Sequence, residues 1–211
     1  MKSSIASNEL LASQESEIEV RVDPDAFSNW LPILREGFLV ETQLGRNIRE
    51  VLCQEIGLSP QYLEARVQTV FLDGKAIDQL ESTIITDGCT VALSAAMPGF
   101  VGAAFRRGGY YGVMRSGTTH RSGAFGGKEE RGFFILKLFN LLADELAGHF
   151  FERGILMYSQ ALSAFLRRQQ ENFWKACREM LVNGQPVHAN SLRSGNENKL
   201  SHLVLLKVIT W

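Results

Sequence analysis

The chain has 211 residues, 45% hydrophobic and 21% charged, with a formal net charge of -1. That composition excludes global disorder, gives no overall basic excess for nucleic-acid binding, and supplies a core for one sizeable domain or two small ones. The three cysteines, Cys53, Cys89 and Cys177, lie far apart without CxxC spacing; this excludes a disulfide framework or zinc knuckle and predicts reduced thiols in a cytoplasmic protein.

In chain order, residues 1–16 carry no sustained apolar run, so they are expected to be a polar leader rather than a secretory signal. The stretch Glu17–Val22 alternates Ile18, Val20 and Val22 with charged residues, the period of a half-buried strand. After Asp23-Pro24, the residues Phe27, Trp30, Leu31 and Leu34 have helical spacing, cut to a turn or two by Pro32. A second strand is predicted at Phe38–Thr42. A short amphipathic helix is predicted at Asn47–Ile56, stopped by Gly57. Strands return at Val67–Leu72 and Lys75–Ile77, joined by Asp73-Gly74, a dipeptide suited to the positive backbone angles of a tight hairpin. Asp87-Gly88 then leads into a buried strand, Thr90–Ser94.

That order, with VFLDGKAI and ITDGCTVALSAA, resembles the ThiS/MoaD group of ubiquitin-like β-grasp sulfur carriers over residues 17–97. Those proteins carry a V-N-G turn near the middle and an L-x-D-G-D-x-V-x-L approach to the last strand. The resemblance implies a β-grasp domain at 17–97 in an α+β chain. One departure is the long connection from Asp23 to Gly37. A second concerns the chemistry, which needs a flexible tail ending in Gly-Gly whose carboxylate is activated. Here Gly108-Gly109 follows Arg106-Arg107, yet 102 residues come after Gly109. A modifier reading therefore requires cleavage after Gly109. Its implied roles are Gly109 as the activated terminus, Gly108 as spacer, and Arg106 and Arg107 as contacts to an activating enzyme.

Residues 98–132 hold 10 of the 19 glycines, with six Lys+Arg against two Glu. They predict a Gly/Arg-rich linker. Arg106, Arg107, Tyr110, Tyr111 and Arg115 are the candidates for nucleic-acid binding, by phosphate neutralisation and base stacking. The competing reading is a linker that docks on the acidic β-grasp surface. It is favoured because residues 1–97 carry 15 Asp+Glu against 7 Lys+Arg while residues 98–211 carry 8 against 15. The run Cys89–Phe105 is free of charge over 17 positions, but Pro98-Gly99 interrupts it and argues against a membrane span.

Beyond the linker, Ile135, Leu138, Phe139, Leu142, Leu146 and Phe150 recur at helical spacing, up to Gly154. A second helix is predicted for Ser159–Val182, then Asn183-Gly184 as a turn and Leu203–Thr210 as a final strand or docking segment. The region 133–211 is thus expected to be mainly helical. Its aromatic doublets, Phe133-Phe134, Phe150-Phe151 and Phe173-Trp174, are too broadly spread for two helices to bury alone; they need the β-sheet, a homo-oligomer or another protein partner, and an oligomer is expected. No metal, cofactor or catalytic constellation is predicted. His120, His149, His188 and His202 lack ligand spacing, and GGKEERG at 126–132 lacks the phosphate-loop pattern. Three readings follow: a non-enzymatic β-grasp interaction or assembly module, first; a modifier precursor cut after Gly109; and nucleic-acid binding through the joint.

Overall fold

The computed structural model describes residues 15–96, 99, 102, 105–108, 130–193 and 200–211. They form two compact units, the described residues of 40–143 in one and those of 15–39 and 144–211 in the other.

In the first unit, strands β3 (Thr69–Leu72), β4 (Lys75–Ile77), β5 (Thr90–Ser94) and β6 (Arg131–Phe139) lie in the order β4-β3-β5-β6. The β3–β4 hairpin turns at Asp73-Gly74, with φ of 48° and 78°, the paired left-handed conformation that this dipeptide favours. β3 and β5 are antiparallel, whereas β5 and β6 are parallel, Thr90 opposite Ile135 and Ser94 opposite Phe139. Helix α2 (Ile48–Glu50) continues as a π-helical turn, Val51–Glu55. Its start is a capping box: Asn47 Oδ1 accepts from the Glu50 amide at 2.8 Å, and Glu50 Oε2 accepts from the Asn47 amide at 3.2 Å. Helix α3 (Pro60–Arg66) begins the same way in principle, with Pro60 in its first turn and Ser59 Oγ accepting from the Tyr62 amide at 3.1 Å. Ile48, Val51, Leu52, Leu63, Val70, Ile85, Val91, Phe134, Leu136 and Leu138 close the core.

The second unit holds β1 (Ser16–Val22), β7 (Ile155–Tyr158), β8 (Cys177–Val182), β9 (Gln185–Pro186) and β10 (Leu203–Thr210), in the order β7-β10-β1-β8-β9. β1 runs parallel to β10 and antiparallel to β8, with a bulge between Arg21 and Val22. Its Ile18, Val20 and Val22 are buried, as their alternation demands. Asn183-Gly184, at φ of 51° and 74°, closes the β8–β9 hairpin. Helices α1 (Leu31–Glu36), α4 (Leu141–Arg153), α5 (Ser159–Arg167), α6 (Glu171–Lys175) and α7 (Ala189–Arg193) complete the set. Trp30, in a 3-10 turn spanning Pro24–Trp30, packs on Phe165 and Phe173 with ring centroids 5.7 and 4.8 Å apart. The chain crosses between units within β2 (Phe38–Gln43) and within α4.

Several expectations are corrected. The described residues contribute ten strands in mixed parallel and antiparallel pairing, so a small β-grasp followed by a mainly helical region is not the fold. The strand expected to open the β-grasp pairs with β10 and β8 of the second unit, not with β2 or β5. It begins at Ser16, inside the expected leader; the rest of that leader, residues 1–14, lies outside the described residues. Ile135, Leu138 and Phe139, expected in a helix, lie in β6. There Phe134, Leu136 and Leu138 have the period of a strand, and Phe133 is buried from the other face. Together with Phe133 and Ile135, these positions read as one apolar run, which helical spacing also matches. The predicted helix Ser159–Val182 divides into α5, α6 and β8, broken at Arg168–Gln170. Helix α3 was not expected at all, although Ser59-Pro60 is its start signal in plain view. Of the uncharged run, Thr90–Ser94 is strand, and no helix among the described residues is long and apolar enough to cross a membrane.

Candidate functional site

Where the described part of the joint comes to rest decides which site can be built. Phe105, Arg106, Arg107 and Gly108 are described; Gly109, Tyr110, Tyr111 and Arg115 lie outside the described residues. Residues 105–108 lie against α3, β3 and the loop after β4, all in the first unit. The Arg107 amide donates to the Gln68 carbonyl at 2.8 Å. Its guanidinium Nη2 donates to the Leu63 carbonyl at 3.3 Å and to Glu64 Oε2 at 3.1 Å. The Gly108 amide donates to Asp78 Oδ1 at 3.2 Å, and the Phe105 ring stands 5.5 Å from that of Phe71. Gly108 has φ of 64°, a left-handed conformation that glycine adopts without strain.

Glu64 is the centre of this arrangement. Its other oxygen accepts from Arg49 Nη1 of α2, which also reaches Glu81 at 3.3 Å. The hydrogen bond from Arg49, and after it the charge of Arg107, hold the Glu64 carboxyl below its ordinary range. Arg49 is raised in return, first by Glu64. The Arg107 side chain is only 13% exposed, against 55% for Glu64. The site therefore binds a cation and two backbone amides and holds a segment in place. A phosphate competing for Arg107 must displace Glu64. Arg106 is exposed, with its amide bonded to the Gly102 carbonyl at 3.0 Å.

No protein-family model, curated protein or solved structure matches the chain.

The structure brings Arg107 and Gly108 into one contact and adds partners that sequence reasoning did not name: Leu63, Glu64, Gln68, Phe71 and Asp78. The available signal was the charge asymmetry. Arg107–Glu64, Arg131–Glu41, Arg168–Glu36, Arg178–Asp23 and Lys207–Glu17 each join the acidic first part of the sequence to the basic second part. Most of these pairs are solvent-exposed and each contributes little stability.

Of the ways open to cover the aromatic doublets, burial within the chain is the one observed. Phe133, Phe134, Phe150, Phe151, Phe173 and Trp174 are all buried within the chain. They leave no wide aromatic face for a partner to cover. The large apolar side chains that do stand exposed among the described residues are Phe139, Leu141 and Trp211, at 37%, 57% and 70%.

Burial pushes the Cys89 and Cys177 thiols up to about 11, which leaves roughly 100-fold less thiolate near neutral pH than an ordinary cysteine. Cys53 is also raised, again chiefly by burial. Alkylation by iodoacetamide at pH 8 is expected to be at least ~50-fold slower at Cys89 and Cys177 in the native chain than in urea. Equal rates, read by site-resolved mass spectrometry, would contradict their burial.

Proposed function

We propose that this chain is a non-enzymatic protein-interaction or assembly module. The observation that carries this reading is the exposed pair Phe139 and Leu141. They flank Asn140, whose φ of 54° ends β6 and whose Nδ2 donates to Ser94 Oγ at 2.7 Å. The turn is thereby braced on β5, and the two apolar side chains are presented from a rigid base, which lowers the entropy cost of binding. Exposed apolar groups held this way are what a protein partner buries.

The test is the assembly recovered from the native host with the wild-type chain and with Leu141→Glu. The expected result is a complex heavier than the 23.5 kDa chain, reduced about tenfold or more by the charge. A monomer in both cases overturns the reading. Intact mass of the same sample is expected to show one full-length species. A fragment ending at Gly109 would instead support the modifier alternative that the ThiS/MoaD resemblance implies.

A further inference from the structure

The contact made by residues 105–108 lies within the first unit. It includes two backbone amides, one guanidinium and one aromatic pair, anchored on the half-exposed Glu64 and on Asp78. Solvent-accessible hydrogen bonds, such as those to Glu64 and Asp78, place such a segment toward the low end of local stability. Yet the contact is specific, since Arg107 is nearly covered and is met by one charged and one neutral acceptor. Gly108 turns at φ of 64°, and a side chain there would meet nothing within 4 Å. Its glycine therefore serves backbone conformation rather than packing, bringing its amide to Asp78.

We propose that Phe105–Gly108 is a latch. Closed on Leu63, Glu64, Gln68, Phe71 and Asp78, it withholds the Arg107–Gly108 peptide bond from proteases; opened, it offers that bond for processing. A protease must draw several residues around its target bond into an extended strand, which the closed contact forbids. Cleavage then follows the population of the open state. The device is independent of which partner the chain serves, so Leu141→Glu leaves it intact.

Trypsin is the probe, acting on the full chain, with cleavage after Arg107 followed by mass spectrometry. The double variant Glu64→Gln/Asp78→Asn keeps the side-chain volumes but removes both charges from the acceptors. It is expected to raise the rate of that cut about 10-fold or more, while the rate after Arg193, in the other unit, stays unchanged. An unchanged rate after Arg107 overturns the latch. Amide hydrogen exchange of the unaltered protein provides a test that does not depend on how the variant folds. The Arg107 and Gly108 amides are expected to exchange at least ~10-fold more slowly than in a free peptide; exchange at free-peptide rates also overturns the proposal.

Discussion

Trp30→Ala is expected to cost about 3–5 kcal/mol, the range for removing a fully buried large aromatic. Trp30 is 2% exposed. It sits against Phe173 and Phe165, and those two rings meet each other edge-on at 5.8 Å. Removing the indole opens a cavity bounded by aromatic rings whose backbones belong to different helices, α5 and α6, so collapse to fill it is costly. For a domain of ordinary stability the loss is a large fraction of the whole. Urea denaturation followed by far-ultraviolet circular dichroism measures it, and a midpoint shift of roughly 1–3 M is expected. Trp30→Phe, which retains a ring, is expected to cost less. A loss under 1 kcal/mol for the alanine variant would mean that these rings do not pack as described.

The second large effect is expected at Gly154, between the last residue of α4 and the first of β7. Its φ is 90°, and a Cβ built there would stand 2.9 Å from both Cγ and Cδ1 of Leu205 and 3.3 Å from Cγ of Lys207. Two penalties therefore add for Gly154→Ala. One is the backbone conformation, and the other is overlap with the Leu205 and Lys207 side chains of β10, which must shift to make room. Together they amount to about 2–5 kcal/mol. Gly74→Ala separates the two, since Gly74 has φ of 78° with nothing within 4 Å of its Cβ position. There only the backbone term applies, about 1–2 kcal/mol. Thermal unfolding of both variants should place Gly154→Ala at the lower temperature. Equal costs would remove the steric contribution.

The two sites illustrate what could be read in advance. Gly154 was legible as a helix stop because the apolar pattern of α4 ends beside it, and the helix does end at Arg153. The closeness of Leu205 was not, because that residue comes 51 positions later and reaches Gly154 only through the pairing of β7 with β10. Trp30 and Leu34 were recognisable as apolar positions at helical spacing, but nothing local names Phe165 and Phe173 as their neighbours. In the candidate site, Arg107 and Gly108 stood out by composition. Glu64 and Asp78 did not, since an exposed carboxylate looks the same in sequence whether or not an arginine 43 residues away settles on it.

By itself the sequence determined the local devices: the alternation of Ile18, Val20 and Val22, the Asp73-Gly74 and Asn183-Gly184 turns and the Asn47–Glu50 capping box. Each is set by backbone conformation or by hydrogen bonds within a few residues. Only the tertiary structure decided that Arg131–Phe139 and Cys177–Val182 are strands, that β1 belongs beside β10 and β8, and that the joint's arginine is met by Glu64. A short apolar run satisfies both a helical and an extended period, and the choice between them depends on which edge is present to accept its backbone hydrogen bonds. Those edges come from residues far away in sequence: Thr90 for Ile135, 45 positions off, and Val20 for Met180, 160 positions off.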